Sequence, residues 1–251
     1  MRVLAVIPAR LASTRLPRKP LASIAGHPMI EWVYRAAAAA SAISRVVVAT
    51  DSEEVAQTVQ GFGGEAMLTR PDHPSGTDRM AEVAARLPDY PVLVNVQGDE
   101  PLLRPEPLDA LVAGFLAQAA APAGTLVRRA VHREEIDSPQ TAKVARAQDG
   151  AAIYFSRAPV PFLRSGGEAP TYFIHIGVYI HRREFLLAFA GMPRGPLEKS
   201  EMLEQLRVLE NGHRMMTVET GAVFCGVDTA EDLERVRAVV AARRLEPVCP
   251  R

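Results

Sequence analysis

A chain of 251 residues with 48% apolar and 23% charged residues has the make-up of an ordinary globular protein and the length for one large α/β domain. Lys plus Arg equals Asp plus Glu at 29 each, so no global basic field marks nucleic acid or anionic lipid as a partner. Two cysteines, Cys225 and Cys249, are too few for a disulfide framework, and the apolar run at 1–8 is too short for a signal peptide or membrane span. The expectation is a cytoplasmic protein, one domain over 1–251.

In chain order, Val3 to Ile7 reads as a strand buried on both faces. The loop from Pro8 to Pro20 follows it. No Asp or Glu precedes Glu31, while Arg2, Arg10, Arg15, Arg18 and Lys19 all fall in that stretch, so an anion is expected there. Met29 to Ala40 has a helical pattern, and Arg45 to Thr50 is a second buried strand. Asp51 and Glu54 have capping-box spacing, which predicts a helix over Glu53 to Gln60. Gly61 to Ala66 matches G-x-G-x-x-[GA] but follows a helix and precedes a strand, the reverse of the dinucleotide-binding order.

A helix over Asp78 to Leu87 and a strand over Val92 to Val96 continue the alternation. Such alternation predicts an α/β fold, a doubly wound, mostly parallel sheet with its ligand crevice beyond the carboxyl ends of the strands. After about residue 120 the pattern changes. Lys143 to Ala147 and Ala151 to Ser156 flank Asp149-Gly150, which predicts an inserted β-hairpin with a type I′ turn. Tyr172 to His181 is strand-like, and Ser200 to Glu210 reads as one helix ending before Gly212. A last strand is expected around 221–227, then a helix over Ala230 to Arg244 capped by Thr229.

Three segments carry chemistry. The Pro8–Pro20 loop offers Arg and Lys for charge-assisted hydrogen bonds to phosphate oxygens, though no Walker A pattern occurs. Asp99 ends a buried strand behind Gly98, a place to hold Mg²⁺ against phosphates or to cap the next turn. Asp228 stands where a strand meets a helix, structural if alone. Two acids on one carboxyl edge opposite a basic loop describe a metal-bridged triphosphate site. His132 and Glu135 share helical ligand spacing but fit a solvated face better. No H-E-x-x-H, G-x-S-x-G or C-x-x-C pattern occurs.

The segment IPARLASTRLPRKPL resembles the opening signature of the sugar-acid cytidylyltransferases. With RPDHPSGTDRMAEV (70–83), NVQGDEPL (95–102), YFSRAPVPFLR (154–164), HIGVY (175–179), PLEKSEMLEQLRVLENG (196–212) and GVDTAEDLERVR (226–237), the chain is similar to the family's 3-deoxy-manno-octulosonate (Kdo) branch nearly end to end. The resemblance implies CTP and Kdo as substrates, release of pyrophosphate, Mg²⁺ as cofactor, and activation of the sugar for lipopolysaccharide synthesis. It implies that Pro8, Ala9, Arg10, Arg15, Lys19, Ser75, Arg79 and Gln97 meet the nucleotide, with Arg15 near the triphosphate or the acid. Asp99 and Asp228 would hold the metal, and with Arg10 and Lys19 they form the catalytic set. Arg157, Arg164, His175, Tyr179, Glu204 and Gln205 would meet the sugar acid, and the hairpin region would build a homodimer.

The chain departs from the family pattern twice. Ser138-Pro139-Gln140 replaces Asn/Asp-Pro-Asn ahead of Lys143, and Ile174 stands where a cation usually precedes the HxGxY motif. Both bear on the acceptor: Kdo, its 8-amino analogue or a sialic acid. A silent nucleotide-binding protein on the same fold is the reading from another class.

Overall fold

The stretch VLAVIPA forms β1 (Val3–Ala9), whose first five side chains are buried. A near-continuous apolar run of this kind suits a parallel strand covered on both faces. The computed structural model describes residues 1–12, 15–222 and 224–249, so Ser13 and Thr14 of the basic loop lie outside the described residues. The chain forms two compact units, Met1–Asp109 with Val223–Arg251, and Ala110–Ala222.

In the first unit β1 is followed by a 3₁₀ turn (Lys19–Leu21), the short β2 (Ser23–Ile24) and β3 (His27–Pro28), then α1 (Met29–Ala39) and β4 (Arg45–Thr50). Next come α2 (Glu53–Gly61), β5 (Ala66–Leu68), α3 (Gly76–Arg86), β6 (Val92–Asn95) and the start of α4 (Pro105–Leu116). Strands β6, β1, β4 and β5 lie side by side in that order, all parallel. The chain steps outward from β1 through β4 to β5, then returns to the other side of β1 as β6. Strand order therefore reverses between β1 and β6, which is where an open α/β sheet places its ligand.

The second unit holds β7 (Ala123–Arg129), α5 (Arg133–Asp137), β8 (Lys143–Arg146), β9 (Ala152–Ser156), β10 (Phe173–Arg182), α6 (Arg183–Ala190), α7 (Pro196–Glu201), α8 (Leu206–Glu210) and β11 (Met215–Glu219). β11 runs parallel to β7; β7 with β10, β10 with β8, and β8 with β9 pair antiparallel. Phe155, Phe189, Leu206 and Met215 anchor its core. The chain re-enters the first unit and ends in α9 (Ala230–Arg243), whose Leu233, Val236 and Val240 pack with Ile24, Met29 and Trp32. Among the described residues no helix is long and apolar enough to cross a membrane.

Four expectations change. The cap of α2 is Ser52, which accepts from Val55 N–H at 3.4 Å, because the Asp51 carboxylate is turned to Arg79 instead. The hairpin loop has three residues, not two. Ala147 N–H donates to Ala151 and Gly150 N–H to Ala147, and Gly150 alone takes a positive φ of 84°, so a single-glycine bulge loop replaces the type I′ turn. The helix expected over 200–210 is broken into α7 and α8 by Met202 at φ 53°. Glu210 then reaches back to cap Leu197 and Glu198 N–H at 2.8 and 3.0 Å. The described residues of 221–227 are irregular; the strand lies earlier, at β11, and Val223 is outside the described residues.

Candidate active site

Beyond the carboxyl ends of β1 and β6 lies a cleft of about 350 Å³ lined by Pro8, Ala9, Arg10, Arg15, Lys19, Gln97, Gly98 and Asp99, with Gly76 at the start of α3. Most of the residues assigned to the nucleotide by resemblance thus share one cavity. Gly98 makes the close approach possible, since a Cβ there would sit 3.1 Å from the Pro8 carbonyl oxygen. Gln97 is held by its amide donating to Asn95 Oδ1 at 3.3 Å.

Charged side chains meet at the cleft. Lys19 Nζ donates to Asp99 Oδ2 at 2.6 Å and to Asp228 Oδ1 at 3.0 Å, and Arg15 Nη1 is 3.1 Å from Asp228 Oδ2. Burial pulls the Lys19 ammonium toward neutrality, but the two carboxylates outweigh it and raise its pKa. No strand aims Asp228. Its segment is tied down by Val227 N–H donating to the Asp99 carbonyl and Cys225 N–H to Glu100 Oε2, at 2.9 and 3.0 Å. Glu100 was not anticipated. Burial, with Asp99 and Asp228 close by, pushes its carboxyl up to about 8. Its adjacency to Asp99 was the only sequence signal.

Two carboxylates converge on one ammonium, and hard oxygen donors of this kind suit Mg²⁺. Among the described residues no group of three or more His, Cys, Asp or Glu could form an all-protein cage. A divalent ion held by Asp99 and Asp228 alone would take the rest of its shell from water or ligand oxygens.

The rest of the edge is braced. Arg10 donates to the His73 carbonyl, and His73 in turn pairs with Glu82. Ser75 caps α3, accepting from Asp78 N–H at 3.2 Å. Arg79 is 0% exposed, and its guanidinium donates to Thr69 Oγ1 at 2.5 Å and Asp51 Oδ2 at 3.1 Å. It is presented to its neighbours in the fold and has no open surface toward a ligand.

The acceptor candidates belong to the second unit. Arg157 Nε donates to the Glu201 carbonyl at 2.8 Å and Nη1 to that of Pro139 at 2.9 Å. Arg164 lies in the exposed segment 161–169. The His175 and Tyr179 rings lie 5.3 Å apart and tilted by 43°, Thr125 Oγ1 is 3.1 Å from His175 Nε2, and Tyr179 O–H donates to Gln205 Oε1 at 3.3 Å. Burial pushes the His175 imidazole down to about 3, and burial with Glu204 nearby raises the Tyr179 phenol. His181, which the motifs did not single out, continues this row and is pushed down to about 4 by burial. Ile174 is 4% exposed, paired across β10 with Arg128 on one side and Lys143 on the other. It packs as a strand residue.

A family model described as cytidylyltransferase matches residues 4–217. The 3-deoxy-manno-octulosonate cytidylyltransferase of Syntrophotalea carbinolica is 51% identical over 246 residues, covering 95% of this chain and 98% of its own. That of Geobacter metallireducens is 48% identical, covering 94% and 96%. A solved structure of CMP:2-keto-3-deoxy-manno-octonic acid synthetase complexed with CTP superposes with a TM-score of 0.92 at 41% identity, over 97% of this chain and 100% of that one. A cytidylyltransferase from Leptospira borgpetersenii, at 17% identity and a TM-score of 0.65 over 100% of this chain and 90% of that one, shares the fold.

Proposed function

The chain belongs to the 3-deoxy-manno-octulosonate cytidylyltransferases, and from that premise we propose that it transfers CMP from CTP to the anomeric hydroxyl of Kdo and releases pyrophosphate. The observation that carries this reading is the switch-point cleft, where Arg10, Arg15 and Lys19 face Asp99 at the ends of β1 and β6. The hydroxyl oxygen attacks the α-phosphorus, the bond to the β-phosphate oxygen breaks in line, and the hydroxyl proton passes to solvent. Such a step needs positioning and charge neutralisation rather than a protein nucleophile.

The Pro8-Ala9 backbone, with Gly98 at van der Waals range, receives the nucleotide, and Gln97 and the capped start of α3 at Ser75 border it. Arg10, Arg15 and Lys19 neutralise the triphosphate. Lys19 can move from the two carboxylates to a phosphate oxygen, because three donors on a flexible stem need not keep one partner. Asp99 and Asp228 would hold Mg²⁺, which when bound withdraws charge from the phosphates and lowers the pKa of the attacking hydroxyl. Arg79 acts behind them, fixing α3 to the ends of β4 and β5.

Arg157, Arg164, His175, Tyr179, Glu204 and Gln205 are assigned to the acceptor. Burial keeps His175 neutral at pH 7, so it offers a hydrogen bond rather than a charge, and Arg157 is the partner for the acceptor's carboxylate. A homodimer through the hairpin region is part of the proposal, supported by the exposure of Ile153 on β9 and of Phe162 just beyond it.

The test is nucleotide and metal choice. With Kdo present, turnover is expected with CTP and Mg²⁺, to be lost with a chelator and to be at least tenfold lower with ATP or GTP. Equal rates with ATP, or full activity without divalent metal, would contradict the proposal.

A further inference from the structure

Lys143 is 0% exposed, and burial with Arg157 alongside lowers the pKa of its ammonium. Its Nζ donates to the carbonyls of Ser138 and Thr141 at 2.8 Å each, and to that of Arg157. Three donors thereby meet three acceptors, so the group is satisfied although no solvent reaches it. The acceptors are not neighbours in sequence. Two belong to the turn between α5 and β8, and the third to the residue just after β9.

Arg157 is held from its other sides by the same small set. Its N–H donates to Glu201 Oε2 at 2.9 Å, its Nε to the Glu201 carbonyl at 2.8 Å, and its Nη1 to the Pro139 carbonyl at 2.9 Å. Ser156 Oγ also donates to Glu201, at 2.7 Å. The main chain of Arg157 is thus fixed by Lys143 on its carbonyl and Glu201 on its amide. Its guanidinium rests on the very turn that Lys143 ties together.

The charges facing Lys143 are Arg157, Glu201 and Asp137, and Asp137 is engaged by Arg133 at 2.7 Å. That leaves two cations against one carboxylate, an excess of positive charge that an incoming anion would balance. Burying an ammonium is costly, and a methionine of similar length would fill the same space more cheaply. What the ammonium adds is the junction of three carbonyls.

We infer that Lys143 is a positioning residue, which holds the Ser138–Thr141 turn and the Arg157 main chain as one piece so that the Arg157 guanidinium is presented to the acceptor's carboxylate. This rests on the assignment of Arg157 to that carboxylate. Ser138-Pro139-Gln140 offers main-chain carbonyls to this network, and carbonyls are indifferent to the side chains that differ from the family pattern.

The experiment is a double-mutant cycle read by steady-state kinetics, with CTP and Kdo varied separately, on the wild type, Lys143→Met, Arg157→Met and the double variant. Each single change is expected to raise the Kdo KM about tenfold or more and to leave the CTP KM within about twofold. The double variant should be no worse than Arg157→Met alone, because both remove the same interaction. Where Lys143→Met does not fold, Lys143→Gln, which keeps part of the hydrogen bonding, is read for the same split. Multiplying penalties in the double variant, or equal rises in both KM values, overturns the inference. If Arg157→Met raises the Kdo KM and Lys143→Met lowers only the melting temperature, the positioning role alone falls. If Arg157→Met leaves the Kdo KM unmoved, the Arg157 assignment falls and takes the inference with it.

Discussion

At Asp99 the replacement of one carboxylate oxygen by an amide nitrogen tests how much of the proposed chemistry rests on charge. Asp99 shares Lys19 with Asp228 and faces the cleft, so Asp99→Asn removes the charge proposed to hold the metal without opening the core. The change is expected to cost roughly 3 to 5 kcal/mol of transition-state stabilisation, about a hundred- to several-thousandfold in kcat. Retention of more than a tenth of wild-type kcat at saturating Mg²⁺ would remove Asp99 from the centre of the mechanism. Ile174 makes the opposite case. It is 4% exposed within β10, so Ile174→Arg is expected to lower the melting temperature by several degrees and leave the Kdo KM unchanged. A stable variant with a lower Kdo KM would show that a cation at this position reaches the acceptor. That Asp99 and Lys19 come to one cleft was legible in the sequence, because Asp99 follows one buried strand and Lys19 lies in the basic loop that follows another. The burial of Arg79 and Glu100 was not, because it depends on what the fold brings over them from elsewhere in the chain.

Helix starts show how local spacing misleads when a tertiary partner competes. Asp51 and Glu54 fit a capping box, yet Asp51 pairs with buried Arg79 at 3.1 Å and Ser52 caps α2. Ser52→Ala is expected to cost about 1 kcal/mol, the ordinary value of a cap. Asp51→Ala leaves a buried guanidinium without its carboxylate and is expected to cost about 3 to 5 kcal/mol. Chemical denaturation of both variants checks this, and no loss in Ser52→Ala with about 1 kcal/mol lost in Asp51→Ala would return the cap to Asp51. Strands β1 and β4 and helix α9 were readable to within two residues, since burial on both faces and a true Thr229–Asp232 capping box are local signals. The break at Met202 was not readable, because an unbranched residue at φ 53° carries no local mark. What holds it is the contact of Glu210 with the start of α7, made by residues twelve or more positions away.

At the scale of the whole molecule, pH separates buried groups that pull in opposite directions. His175 and His181 are pushed down to about 3 and 4, below the ordinary 6.5. Between about pH 6.5 and 4 the unfolded chain binds protons that these folded imidazoles refuse, so they withdraw stability as pH falls through that window. Glu100 acts the other way. Its folded carboxyl, near 8, holds a proton that the unfolded chain releases above about 4.5, so it withdraws stability as pH rises toward 8. The difference between wild type and His181→Phe therefore isolates the histidine contribution. His181 stacks on Phe185 with its rings 12° from parallel, and phenylalanine can take that place. The variant is expected to gain in melting temperature relative to wild type on going from pH 7.5 to 5, and a constant difference would contradict a buried neutral His181.

Cytidylyl transfer to a 3-deoxy sugar acid is tested most directly by pyrophosphate release with CTP and Mg²⁺ over Kdo, 8-amino Kdo, a sialic acid and no acceptor. Release with Kdo, accompanied by one CMP-sugar per pyrophosphate and at least tenfold faster than with the sialic acid, is the predicted result. No release with any sugar acid, or release that does not depend on the acceptor, would contradict it.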